Sequence, residues 1–398
     1  MELKNIRARK IFNSRGEETI EIQVNDGVGS FPIGLSKGRH EVQPFPKDID
    51  LAIKRFNEII AEEFKGYEFF GFEDLETIEE KFFELGGFDL FGGASLLAFE
   101  YALLDALSKR LKEPLFKILN ENVKEVISRP LGNVIGGGVH SRNLGPDIQE
   151  FLVYNEAKSV YDAIKINMEF HKKICIWLKE RDKNFLGSKN DEGAWVTSLN
   201  TKEILDLLLE FKYVFESEYG VEVKLGLDIA ANTLYKDGRY VYRKDKLELS
   251  REEQIEHVID IVKLYDIFYV EDPLYEEDFE GFSKIKSSVG ALVVGDDLIA
   301  TNIERLEKAI KYNSINGVII KPNQICSLVQ VKEMIDLCKS KEITPILSHR
   351  SGETEHNILA HLAVAWEIPI VKFGIVGGER VSKLNELIRI EEYLKNFK

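Results

Sequence analysis

The chain has 398 residues and a formal charge of −15, which argues against general affinity for nucleic acid or anionic membranes while leaving room for small anions at local basic sites. No apolar stretch is long enough to span a bilayer, and the start, MELKNIRARK, lacks a signal-peptide core. The only cysteines, Cys175, Cys326 and Cys338, show no metal-ligand spacing, so a cytoplasmic protein is expected, its length suited to a barrel plus a second domain.

An alternating run, TIEIQV at residues 19–24, follows the turn NSRGEE, and the next strand enters a glycine-bearing loop, IGLSKGRHE, at 33–41. From Asp48 the pattern turns helical, including GGASLLAFEYALLDALSKRL, whose apolar positions recur at helical spacing. Residues 1–128 therefore read as an α+β capping domain. Lys/Glu runs at 52–84 and 242–256 read as solvated helix faces. Strand-like PLGNVI, at 130–135, opens a second domain, residues 129–398, and runs into Gly136, Gly137 and Gly138.

Six short apolar runs then end in residues able to do chemistry. They are VKLGLD to Asp228, IFYVED to Glu271, ALVVGDD to Asp296, GVIIK to Lys321, TPILSH to His349 and IPIVK to Lys372. Amphipathic stretches such as 251–264 and 302–309 separate them, as in repeated strand–helix units with a mostly parallel sheet. If that sheet closes into a (β/α)8 barrel, the carboxyl ends of its strands converge on one mouth. Three carboxylates and two lysines would meet there. Carboxylate oxygens suit a hard divalent cation, preferably Mg²⁺, and a lysine beside it can become a base.

Further motifs accompany these runs: SHRSGETE at 348–355, EDP at 271–273, GDDLIATN at 295–302, NDEG at 190–193, QEF at 149–151 and KLNELIRIEE at 383–392. The ordered set resembles the enolase family over nearly the whole chain. The resemblance implies an N-terminal α+β domain before a barrel whose first turns depart from strict βα alternation. It implies Mg²⁺-dependent dehydration of 2-phosphoglycerate to phosphoenolpyruvate, with two Mg²⁺ per site, the second bound with substrate. Asp228, Glu271 and Asp296 match the ligands of the tighter ion, and Ser36 matches the loop serine that completes the second site and lies at the substrate. Lys321 matches the base, and Glu192 the general acid with Glu150 beside it. Gln149, His140, His349 and Lys372 match substrate-contacting positions, while Arg350 and Ser351 match the phosphate clamp. Arg15 and Glu392 match a pair that joins subunits, so a homodimer or higher homo-oligomer is implied.

The same chemistry sets requirements on charge. Lys321 must be neutral to accept a proton, and a nearby cation and Lys372 would lower its pKa. Glu192 must hold a proton, and crowding by Glu150 would raise a carboxyl pKa. His40, His171, His257, His356 and His361 lack a comparable setting and read as surface or packing residues. Several positions depart from the common family pattern: Lys37 in the loop, Gly136 to Gly138 before His140, Ala194 after the acid, and Pro322 and Cys326 after Lys321. Lys37 either reaches the substrate phosphate or points to solvent, and Ala194 would be strained at positive φ. These departures keep two other readings open. One is dehydration of a different phosphorylated hydroxy acid; the other is a non-catalytic binding protein on the same fold.

Overall fold

The computed structural model describes residues 1–35 and 38–396; Ser36 and Lys37 lie outside the described residues. Strands β1 (Ile6–Phe12), β2 (Glu18–Val24) and β3 (Gly27–Ser30) form an antiparallel sheet in that order. The turn between β1 and β2 is shaped by Asn13, whose Oδ1 accepts from the amides of Arg15 (2.9 Å) and Glu17 (3.0 Å), an Asx turn of the kind asparagine favours. The long apolar helix Gly93–Leu111 packs on this sheet and is almost wholly buried, as its near-continuous apolar run requires.

A nine-strand sheet follows. It comprises β4 (Arg129–Pro130), β5 (Gly132–Gly136), β6 (Glu150–Asn155) and β7 (Val223–Asp228), then β11 (Ile267–Glu271), β12 (Leu292–Gly295), β13 (Gly317–Ile320), β14 (Thr344–Ser348) and β15 (Ile370–Lys372). The strand order is β4-β15-β14-β13-β12-β11-β7-β6-β5. Only Leu131 separates β4 from β5, so the ends of this sheet are one bent strand and the sheet closes into an eight-position barrel. From β7 round to β4 all neighbours are parallel, but β6 runs antiparallel to both β5 and β7. The departure from alternation expected of the first barrel turns is this reversed strand, followed by two consecutive helices, Val160–Arg181 and Thr201–Tyr219.

Inside the barrel, Leu131, Leu152, Tyr154, Tyr269, Val294, Ile319, Ile346 and Ile370 form their own apolar cluster. That plug closes the lower barrel and confines polar side chains to one mouth. The outer helices begin on sequence-encoded caps, such as the capping boxes Asn200/Glu203 and Ser250/Glu253. Residues 242–256 correct the reading as a helix face: β8 (Tyr235–Lys236), β9 (Arg239–Tyr242) and β10 (Leu247–Leu249) form a small antiparallel sheet, and the helix begins only at Arg251. Strands of two to four residues are too short for alternation to show. Among the described residues, no helix is long and apolar enough to cross a membrane.

Candidate active site

All six apolar runs deliver their polar ends to the same mouth. Asp228, Glu271 and Lys372 are the last residues of β7, β11 and β15, and Asp296, Lys321 and His349 follow directly after β12, β13 and β14. The reversal of β6 brings its first residue, Glu150, to this end, opposite Asp228 on one side and Gly136 on the other. Gln149 precedes it. One cavity is lined by His140, Gln149, Glu150, Glu192, Asp228, Asp296, Lys321, His349, Arg350, Ser351 and Lys372. Of the described residues expected at the site, only Glu271 is missing from that lining. Glu271 is fully buried, and Ser36 lies outside the described residues.

Charge at the floor is balanced by the two lysines. Nζ of Lys372 lies 2.6 Å from Glu271 Oε2, 2.9 Å from Glu150 Oε2 and 3.3 Å from Asp228 Oδ2. Burial works against the Lys372 ammonium, but Glu150, Glu271 and Asp228 together hold its pKa well above the usual lysine value. Lys321 is buried against Asp296, with which it forms a short hydrogen-bonded ion pair. Its pKa is raised: burial and the charges of Arg350 and Lys372 favour the neutral amine, yet the adjoining Asp296 carboxylate, with Glu271, outweighs them.

Asp228, Glu271 and Asp296 do not form a compact ligand group in this arrangement. Among the described residues, ligand atoms lie within 4.8 Å of one another in two sets, His140/Glu150/Glu192 and Asp272/Asp296/Asp297. The physical reason is the lysines, since one ammonium bridges Asp228 and Glu271 while the other holds Asp296. The donor set nevertheless fits a hard divalent cation. It consists of carboxylates from three neighbouring strands, and Glu271 Oε1 is buried without a hydrogen-bond partner among the described residues. A buried carboxylate oxygen left in that state is costly unless a positive group meets it.

On the far wall, Glu192 sits in a turn that Asn190 organises by accepting from the amides of Glu192 (3.0 Å) and Ala194 (2.9 Å). His140 Nδ1 is 3.5 Å from Glu192 Oε1, and Asn133 Nδ2 donates to Glu192 Oε2 at 3.4 Å. The protonation order differs from the expectation. Burial, reinforced by Glu192, pushes the Glu150 carboxyl well up, whereas His140 overcomes burial and holds Glu192 well below its usual value.

Arg350, buried, donates to Asn323 Oδ1 (3.1 Å) and grips the Glu41 carboxylate through both Nη atoms (3.1 and 3.2 Å). Ser351 Oγ accepts from the amide of Leu35 at 2.8 Å, tying residues 33–35 to the clamp segment. Glu41, Asp272, Asn323 and Arg380 belong to this neighbourhood and were not singled out from sequence. Glu41 stood in the quoted loop and Asp272 inside EDP, so the motifs contained a signal; Arg380 had none.

The altered positions are accommodated. Ala194 is buried at ordinary negative φ while Gly193 takes φ +82, so the expected strain is absent. At Gly136 a Cβ would fall 2.1 Å from Asn190 Nδ2, and only glycine lets the acid turn pack against β5. Pro322 opens the short helix Pro322–Ile325 after Lys321, and Cys326 caps it at φ 60. Arg15 pairs within the chain with Glu17 (3.0 Å) and Asp191 (3.6 Å), and Glu392 is exposed. Of the other histidines, His171, His356 and His361 stack on Trp195, Tyr101 and Phe116, His257 packs edge-on against Tyr242, and His40 meets Glu277 at the surface.

A sequence model of the enolase C-terminal TIM barrel domain matches residues 124–397. The chain is 39% identical to the enolase of Pyrobaculum aerophilum, across 99% of this chain and 97% of that protein. It is 40% identical to the enolase of Methanosphaera stadtmanae, across 99% and 98%, and 38% identical to that of Methanothermobacter thermautotrophicus, across 98% and 96%.

Proposed function

The chain belongs to the enolase family, and we propose that its barrel mouth dehydrates 2-phosphoglycerate to phosphoenolpyruvate using a lysine base and a carboxyl-pair acid on opposite walls. The observation that carries this reading is their opposition. Lys321 follows β13 and Glu150 opens β6, and these strands are separated by β12, β11 and β7 one way round and by β14, β15 and β5 the other. A hydroxy acid held between them gives up its carbon-bound proton to Lys321 on one face and its hydroxyl, protonated by the Glu150/Glu192 pair, on the other. Glu192 is the acid of that pair, with Glu150 beside it. Lys372 offers positive charge to the substrate carboxylate, and Arg350 and Ser351 bind the phosphate through a planar fork and a hydroxyl. Gln149, His140 and His349 line the substrate.

Asp228, Glu271 and Asp296 would hold a divalent cation, whose charge stabilises a developing enolate. Two Mg²⁺ per site, the second completed by Ser36, is the corresponding full complement. Residues 1–128 act as the cap on a catalytic barrel of residues 129–398; supporting this, Ile33 bridges to Gly352 and Glu41 meets Arg350. The unit is cytoplasmic and at least a homodimer, with Arg15 and Glu392 at the contact.

Absorbance of phosphoenolpyruvate, followed with Mg²⁺ and with a chelator, tests the activity. Product is expected only with metal. Faster turnover of another phosphorylated hydroxy acid would reassign the substrate, and no turnover of any such acid in saturating Mg²⁺ would leave a binding role.

A further inference from the structure

His349 is wedged between two groups that settle its chemistry. Its Nδ1 lies 3.2 Å from Nη1 of Arg380, and its Nε2 faces Oε1 of Glu192 at 4.0 Å. A guanidinium has five N–H donors and no acceptor. The imidazole nitrogen it meets must therefore present its lone pair, which leaves the single ring proton on Nε2.

Arg380 is itself fully buried, its Nε lies 3.7 Å from Glu379 Oε1, and its other hydrogen bonds go to backbone. Nε donates to Glu192 O at 3.1 Å, while Nη2 donates to Asp191 O at 2.8 Å and Ser351 O at 3.2 Å. Nη1 also approaches Arg350 O at 3.5 Å. One rigid fork thus joins the acid turn to the segment after β14, two stretches that no regular secondary structure connects. Gly374, at φ +74, makes the approach possible: a Cβ there would fall 2.4 Å from Arg380 Cδ and 3.2 Å from His349 Cε1.

We propose that Arg380 is a positioning residue that holds His349 as the neutral, Nε2-protonated tautomer facing Glu192 and seats the Asp191–Glu192 turn beside it. The assignment of a catalytic purpose rests on the dehydration reading above; the tautomer does not. In this arrangement His349 is a hydrogen-bond donor to the reacting region and not a store of protons. Becoming an imidazolium would place an N–H on Nδ1 against the N–H of Arg380. The surroundings agree: burial and the charges of Arg380, Lys372 and Lys383 disfavour the imidazolium and outweigh Glu192, which favours it.

Long-range ¹H–¹⁵N correlation on the full chain carrying ¹⁵N-histidine tests this, because only seven histidines contribute and His349→Gln identifies the signal. Expected is an unprotonated Nδ1 and a protonated Nε2, unchanged from pH 8 to about 5.5, well below the reference histidine pKa of about 6.5. An Nδ1-protonated ring, or an imidazolium within that range, overturns the proposal whatever the enzyme turns over. Arg380→Met, checked for native circular dichroism, should release the tautomer to a mixture. It should also lower kcat by about 100-fold, the scale of a 1 Å misplacement, with KM within a few-fold. A folded variant with unchanged kcat or an unchanged tautomer overturns the positioning role, and if that variant does not fold, the wild-type spectrum still decides the tautomer.

Discussion

Lys372→Met tests how the floor of the mouth is held together. The ammonium contacts three carboxylates at 2.6, 2.9 and 3.3 Å, and its side chain is only 6% exposed. Exposed ion pairs contribute about 0 to 1 kcal/mol, but removing one partner of a buried pair costs about 3–5 kcal/mol because the abandoned charge stays buried. Methionine keeps the volume of the lysine stem, so little of the loss comes from a cavity. Equilibrium urea unfolding in chelator should therefore show a deficit of that order, since the buried carboxylates that Lys372 contacts lose their counter-charge. Adding Asp228→Asn removes one abandoned charge and should return about 1–3 kcal/mol, a coupling far outside additivity. Excess Mg²⁺ should stabilise the variant against urea, by about 2.7 kcal/mol at one hundred times its Kd. A single-variant loss below about 1 kcal/mol, or additive double-variant energies, would refute the view that Lys372 is the counter-charge of the floor.

The division of labour between walls predicts that Lys321→Ala stops exchange of the substrate C2 proton with deuterium, read by proton NMR, and lowers turnover by about 10²- to 10⁴-fold. Glu192→Gln should still exchange that proton while failing to release hydroxide; normal exchange in both variants would remove Lys321 as the base. Glu271→Ala should abolish calorimetric Mg²⁺ binding while the chain stays folded, and wild-type protein that binds no Mg²⁺ even with substrate would sink the metal assignment. Sedimentation at micromolar concentration should show at least a dimer, and a monomer would refute the Arg15/Glu392 contact. For stability, burial holds the folded-state pKa of His171 at about 4, below its value of 6.5 when exposed. The unfolded chain thus binds the extra proton between those values, so stability is full above about pH 6.5 and falls by up to about 3 kcal/mol on approaching pH 4. Urea titrations of His171→Phe should lack that slope.

The barrel was legible because parallel strands covered on both faces become short apolar runs with no alternation, and the runs ending at Asp228 and Lys372 terminate where β7 and β15 do. The orientation of β6 left no such mark. Its residues are as apolar as those of a parallel strand, and only its pairing with β5 and β7 shows that Glu150 opens the strand. Residue types at the mouth could be read from motifs, but their charge states could not. Glu192 is held low by its contact with His140, and Lys321 is held high by its contact with Asp296. Arg380 was invisible for a different reason. An arginine beside a glutamate at a helix start reads as surface charge, and its burial against Asp191, Glu192 and Ser351 is a property of three distant segments meeting.

The contacts of Lys321 and Lys372 also connect metal affinity to basicity. A lysine paired with a carboxylate is a poor base, because the pairing stabilises the protonated form that must be given up. Asp296 holds Lys321, and it is also one of the three carboxylates suited to a divalent cation. These two demands on Asp296 compete, and linkage makes the competition reciprocal: anything that draws Asp296 away makes Lys321 easier to deprotonate, and a charged Lys321 weakens cation binding by the same free energy. Lys372 differs, since Glu150 still meets it when Asp228 and Glu271 are otherwise engaged. One lysine is thus placed to lose its charge when the acidic floor is occupied and the other to keep it, which is the division that proton abstraction beside a carboxylate requires.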